Sequence, residues 1–489
     1  MLAVLLTAFH LASAPAAPAD IGPDISAEAA RADLALAREA LSRIHPGYDR
    51  YTSAETLDAA WALAEHRADG DVDRLYLDLS RILAEIRCDH TKAELPQAAA
   101  EARETAPVYL PFRFRIFGAA PEDWRMVVDH PGQTGLVRGE EILTIDGDAA
   151  GERLRAVAAF MPVDGFTDHV KPLVIAGTTE FLGSGFDHFD PMLNAFTQTV
   201  DLTVRGLDGE VRQVRARRIG YESFREIGAD GRRFRNFSDP DMSGVDFPAP
   251  GVAVMRVDTF VNYRTPVEPE EVYGPLFDAV AEAGVETLII DLRRNGGGSG
   301  DAQFGLLRRL LLEPAEPVRD VRVRSIDLTG LREHMNTWIP QALDPQPEYF
   351  NARSDGWWSV KPAFGGAQGV VEPHPEAFQG EVILLTSRAN SSGSTSFTAA
   401  LRETDRATLV GEPTGGSQEG PTAGVIYFLT LPNSGIVVRV PWQFTEQGVT
   451  DPVYGRGFDP DVRAPLTYEA WMDGQDPALE AAIALATER

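Results

Sequence analysis

Three short stretches carry side chains and bare backbone of the kind that acyl-transfer chemistry needs. The first is Asn390-Ser391-Ser392-Gly393-Ser394. It lies between the apolar run VILLTS and a helical pattern in which Phe397, Ala400 and Leu401 recur at i, i+3 and i+4. A serine at such a strand-to-helix junction has the free N–H groups of the helix start beside it, which favour negative charge on a nearby oxygen. The ordinary role of such a serine is to cap the helix. The second stretch is Gly296-Gly297-Gly298, directly after the buried-strand run Thr287–Leu292. No side chain shields its backbone N–H groups. A phosphate loop would need a following Lys-Ser/Thr, which is absent, so a backbone oxyanion donor or a simple loop remains. The third is Cys88-Asp89-His90-Thr91. Its imidazole titrates near neutrality and can accept a proton, or it can serve the helix C-terminus as a favourable dipole partner. His45, before Pro46-Gly47, reads as structural, and His66, among charges, as solvated.

The surrounding patterns must hold these stretches in place. Leu34, Ala37, Leu41 and Ile44 mark one helix, and Leu57, Trp61 and Ala64 mark a second, with Ser53 as its cap. Val72, Leu75, Leu79, Ile82 and Ile86 form the apolar stripe of a third helix, which leads straight into His90. Residues 106–218 change to strand and turn patterns, including a hairpin signal at Leu207-Asp208-Gly209. Within them, GLVRGEEILTIDGD resembles the core of a PDZ domain, a module that takes an extended peptide end as an added strand. An insertion at 155–197 is unusual for that module. Residues 221–250, rich in Gly, Pro, Asp and Arg, read as a linker. From Val252, strands alternate with helices, which predicts a layered α/β sheet.

DLRRNGGG after a strand, followed about a hundred residues later by SSGSTSFTAALRETDRATLVGEPTGG, resembles the C-terminal processing (tail-specific) serine peptidases. The order of helical cap, PDZ-like module and VAVMRVDTF strand is similar to theirs over nearly the whole chain. The resemblance implies a nucleophile at Ser392, oxyanion donors at the backbone N–H of Gly393 and Gly297, and a substrate that is a protein or peptide. It also implies an α/β fold with a ClpP/crotonase-like catalytic domain behind an N-terminal helical cap and a PDZ-like β-rich domain. The expected boundaries are 1–19 for a signal peptide, 20–105 helical, 106–220 PDZ-like, 221–250 linker and 251–489 peptidase. One departure redirects the search for a base. The better-known branch places a lysine where this chain has Ser417, and the only lysines are Lys92, Lys171 and Lys361. The branch that includes the tricorn protease uses a histidine from N-terminal sequence, and Cys-Asp-His-Thr resembles the D-G-H-T of such relatives. His90 is therefore the expected base. Asp89, Glu419, Glu446 and Asp451 remain open as the group that orients it.

Composition narrows the partners. A net charge of −28 over 489 residues speaks against nucleic acid or an anionic membrane surface. The single cysteine, Cys88, excludes an intrachain disulfide and a thiolate metal cluster, and no metal or cofactor is expected. MLAVLLTAFHLASA resembles a secretory signal, so a periplasmic or extracellular location is expected, and no later run is long enough to span a membrane. Oligomeric state, including a homo-oligomer, stays open. Two other readings compete with a peptidase. One is a non-catalytic binder, as the same fold includes interphotoreceptor retinoid-binding protein and Thr395 stands where relatives commonly have glutamate. The other is an acyl-thioester enzyme, against which the export signal and the PDZ-like segment speak.

Overall fold

The computed structural model describes residues 21–177, 181–228, 235–367 and 369–488. The signal peptide expected over 1–19 lies outside them.

The N-terminal helices form where cap and stripe coincide. Ser26 accepts from Ala29 N–H to start Ala27–Ile44, Ser53 accepts from Thr56 to start Ala54–Arg67, and Asp71 accepts from Arg74 to start Val72–Glu85. The third helix buries Val72, Leu75, Tyr76, Leu79, Ile82 and Leu83. Just beyond it, Arg87 takes a left-handed φ of 59°, which turns the chain out of the helical path and into Cys88–Thr91.

The PDZ-like segment is an antiparallel sheet in which Arg113–Phe117, Arg125–His130, Glu141–Ile145, Thr199–Arg205 and Val211–Arg217 lie side by side. The Asp208-Gly209 turn joins the last two in full register, with Gly209 at a φ of 85°. Two helices, Lys171–Ala176 and Gly185–Leu193, belong to the insertion. Ser243–Ala249, at the end of the Gly/Pro-rich stretch, is a strand paired antiparallel with Val252–Val257.

Next comes a sheet in which Val252–Val257, Thr287–Asp291, Glu381–Thr386, Ala407–Gly411 and Val462–Arg463 are mutually parallel neighbours. Helices cover both faces, so Leu288, Ile289 and Ile290 are all buried, which is why this strand reads as an unbroken apolar run. The two strand ends that face the candidate site are those of Thr287–Asp291 and Glu381–Thr386, which pair directly.

The expected ClpP/crotonase-like catalytic domain is corrected by what happens to the rest of residues 251–489. Val318–Val323, Thr422–Thr430 and Val437–Gln447 leave the parallel sheet and build a separate seven-stranded antiparallel sheet. That sheet also takes in Ala93–Glu94 from the N-terminal region. Its inward face, with Val438, Val440 and Tyr427, shares one hydrophobic core with Leu34 and Leu41 of the first helix and with Met126 of the PDZ-like sheet. Alternation along the long strands buries one face, and the N-terminal elements help to cover it. Among the described residues no helix is long and apolar enough to cross a membrane.

Candidate active site

Ser392 stands immediately before the helix Gly393–Glu403 with φ 50° and ψ −124°. For a residue with a Cβ this backbone is strained by roughly 1–3 kcal/mol. Its hydroxyl does not cap the helix, so the ordinary explanation for a serine here fails. Ser392 is also partly exposed, whereas Ser394 and Ser396 just after it are buried.

The strain is held by two asparagines. Asn390 is fully buried, and its Nδ2 donates to Leu292 O at 2.6 Å and to Asn295 O at 3.0 Å, while its Oδ1 accepts from Ser387 N–H at 2.7 Å. Asn295, also fully buried, accepts at Oδ1 from Gly297 N–H at 2.8 Å and from Ser394 Oγ at 2.6 Å. Together they stitch the serine loop to the glycine loop. Both letters stand inside the motifs, yet their role was missed, because a side chain that bonds a distant loop leaves no periodic trace.

The glycines are required by contact as well as by conformation. A Cβ on Gly297, whose φ is 105°, would lie 2.8 Å from Gly393 N and 3.0 Å from Ser392 Cβ. A Cβ on Gly298, at φ 146°, would overlap Phe260 C at 2.2 Å. Gly297 N–H is occupied by Asn295. Gly298 N lies 3.4 Å from where a Cβ on Gly393 would sit, and neither Gly298 N–H nor Gly393 N–H has an acceptor among the described residues.

His90 reaches this place from the other end of the chain. Asp89 accepts a hydrogen bond from Ser391 Oγ, 302 residues away. His90 Nδ1 lies 2.5 Å from Asp89 Oδ1, an ion-pair distance, but off the line an N–H donor needs. Burial would push the imidazole down, yet the Asp89 carboxylate and the Cys88 thiol beside it prevail and hold it well above its ordinary value. The same pairing, with Ser391, holds Asp89 below the usual carboxylate range despite its burial. His90 and Ser392 Oγ make no direct hydrogen bond, and Asp89–Ser391 joins their loops. Behind the turn, Gly47 N–H donates to His45 Nδ1 at 2.9 Å, which leaves His45 Nε2 to donate to Thr91 Oγ1 at 2.6 Å. Burial pushes His45 down to about 3, so it is a neutral structural residue.

Of the four candidate orienting groups, only Asp89 touches His90 among the described residues. Glu419 accepts from Gly455 N–H at 2.6 Å, Glu446 pairs with Arg322 at 3.1 Å on the antiparallel sheet, and Asp451 is exposed in a turn at φ 51°. Ser417 is fully buried, donates its N–H to Asp164 Oδ2 at 2.8 Å and accepts from Tyr51 Oη at 3.0 Å. Thr395 Oγ1 donates to Asn390 O at 3.2 Å and packs beneath Gly416. Donor atoms of Cys88, Asp89 and His90 lie within 4.8 Å of one another, but the 2.5 Å Asp89–His90 contact leaves no room for an ion between those two.

The sequence model of peptidase family S41 matches residues 251–464. The chain carries a serine-peptidase domain of family S41. No curated protein matches the chain in sequence. Among solved structures, mature CPAF matches with a TM-score of 0.62 at 16% identity, over 94% of this chain and 96% of that one. Mature CPAF complexed with lactacystin matches with a TM-score of 0.60 at 16% identity, over 94% and 98%. A looser match, at a TM-score of 0.35 and 16% identity, covers 94% of this chain and 37% of the tricorn protease. The CPAF matches run through the helical, PDZ-like and antiparallel parts as well as the S41 domain. The fold is therefore CPAF-like throughout, and the ClpP/crotonase-like core is set aside on this ground as well as on the shared hydrophobic core.

Proposed function

We propose that the S41 domain is a serine endopeptidase acting on protein or peptide chains through an acyl-enzyme on Ser392. His90 takes the Ser392 Oγ proton as the oxygen attacks the scissile carbonyl, then returns it to the departing amine. A water deprotonated by the same imidazole releases the acyl group. Asp89 holds the ring and balances the charge it gains, as the carboxylate does in Ser-His-Asp sites. The developing oxyanion is met by Gly393 N–H and by the glycine triplet. Within the triplet, Gly298 is the better donor, because Gly297 N–H already serves Asn295.

The observation that carries this reading is Asp89, bonded on one side to Ser391 and in contact on the other with His90. The strained, uncapped Ser392 adds to it. A protein or peptide substrate and an exported location follow from the family resemblance and the N-terminal sequence. The test is hydrolysis of an unfolded protein such as reduced, alkylated casein by the wild-type chain and by Ser392→Ala. Loss of cleavage in a variant that keeps the wild-type circular dichroism is expected. Undiminished cleavage would rule the mechanism out.

A further inference from the structure

The insertion in the PDZ-like segment has no part in the chemistry above, yet one of its loops reaches the candidate site. Gly165 N–H donates to Arg87 O at 3.0 Å, and Arg87 Nη1 donates back to Gly165 O at 2.8 Å, just ahead of the His90 turn. Phe166 N–H donates to Gly455 O at 2.7 Å, and His169 Nε2 meets Thr414 O at 3.1 Å. The approach is close enough that a Cβ on Gly165 would lie 2.6 Å from Gly455 O. Asp164 opens this loop. It is 3% exposed, its Oδ2 takes the Ser417 N–H, and Thr167 Oγ1 braces its carbonyl at 2.6 Å. Ser417 is the position at which relatives of the better-known branch carry a lysine.

The charges that face Asp164 come from every segment packed around it. The 88–92 turn brings Asp89, with His90 and Lys92 acting on Asp89 in turn. The turn after the first helix brings Arg50 and Tyr51, and the turn after Ser417 brings Glu419, which acts on Tyr51. Within its own loop, Asp168 is paired with Arg87 at 3.1 Å and Lys171 at 2.9 Å, and His169 faces Thr414. Among the described residues none of these cations forms an ion pair with Asp164. Burial and then the Asp89 carboxylate push Asp164 up to about 7, against the Ser417 N–H bond, the nearby Ser417 hydroxyl and Arg50.

We propose that Asp164 is a positioning residue of the candidate site: it fixes the Ser417 turn and, when ionised, sets a second negative charge near Asp89, which in turn contacts His90. This rests on the reading of His90 as the base. While Asp164 is protonated, Asp89 alone favours the imidazolium. Once it ionises, both carboxylates do, and His90 holds its proton to higher pH. The arrangement also makes the insertion, not the S41 domain, the source of one charge that tunes the base.

Asp164→Asn keeps an oxygen for Ser417 N–H and removes the charge. The His90 imidazole is followed by NMR in ring-labelled protein, with His90→Gln assigning the signal, and casein hydrolysis is followed against pH in parallel. The His90 midpoint is expected to fall by about 0.5–1 pH unit in Asp164→Asn, and the alkaline-rising limb of kcat/KM to move with it. An unchanged midpoint overturns the inference even if the variant is slower, because a purely structural acceptor would give that result. Should Asp164→Asn not fold, the wild-type titration decides. A second inflection near pH 7 in the His90 signal is expected, and a single-step curve overturns the proposal. Absence of hydrolysis at every pH would count against the peptidase reading alone, since the NMR titration does not depend on turnover.

Discussion

Ser392 carries a backbone strain and His90 an electrostatic shift at the candidate site. At Ser392 the cost is conformational, since φ 50° and ψ −124° suit glycine far better than serine. Ser392→Gly is therefore expected to raise stability by about 1 kcal/mol, the strain relieved less the added freedom of the unfolded chain. Thermal unfolding checks it, and the variant should be inactive. At His90 the effect is electrostatic, because against the pull of burial Asp89 holds the imidazole well above its ordinary value. The sign follows from the direction of that shift. A raised folded pKa adds stability that is full below the unfolded imidazole value of about 6.5 and is lost as pH rises through the folded value. A base must be unprotonated, so hydrolysis should rise over the same alkaline range in which this contribution fades. Asp89→Asn should move the rising limb of kcat/KM to lower pH and reduce its plateau by about 10²-fold or more, as when a base loses its orienting partner. A limb that stays in place would remove Asp89 from this role.

At the scale of elements, the serine loop and the glycine loop act as one unit because Asn390 and Asn295 bond across them. Asn390→Ala should destabilise the protein by about 1–3 kcal/mol by leaving Leu292 O and Asn295 O without their donor. Asn295→Asp is more selective. It loses the Nδ2 donor to Val257 O at 3.1 Å and sets a carboxylate against the oxyanion position. Hydrolysis should fall with little change in KM, and a rise in KM with kcat intact would contradict this. The helix stripes, the Asp-Gly hairpin and the buried apolar strands were legible in the sequence, because each depends on neighbours a few residues apart. The pairing of Gly296–Gly298 with Ser392 was legible only as a motif pair. The contacts of Asn295, Asn390 and Asp164 were not, because each joins segments far apart in the chain and local pattern carries no trace of them. The position of His90 was inferred from the missing lysine and a short resemblance, and the choice among Asp89, Glu419, Glu446 and Asp451 needed three dimensions.

At the scale of the whole molecule, the S41 domain closes cores of its own around the parallel sheet but not around the antiparallel one. Its antiparallel sheet buries Tyr427, Val438 and Val440 against the N-terminal helices and the PDZ-like sheet. The ClpP/crotonase-like expectation came from the resemblance, and a change of pattern along the chain says nothing about which faces meet. A fragment of residues 251–489 should therefore bare the antiparallel sheet's inner face and bind hydrophobic dyes, and a fragment that binds none would contradict the shared core. The same dependence governs the chemistry, because the proposed base and nucleophile lie 302 residues apart, counted from Asp89 to Ser391. Labelling by a fluorophosphonate, located by peptide mass spectrometry, reads nucleophile, base and assembly at once. The account predicts a single adduct on Ser392, formed faster as pH rises and slowed about 10²-fold or more in His90→Ala. An adduct on another serine, or labelling of Ser392 that is indifferent to His90, would contradict it.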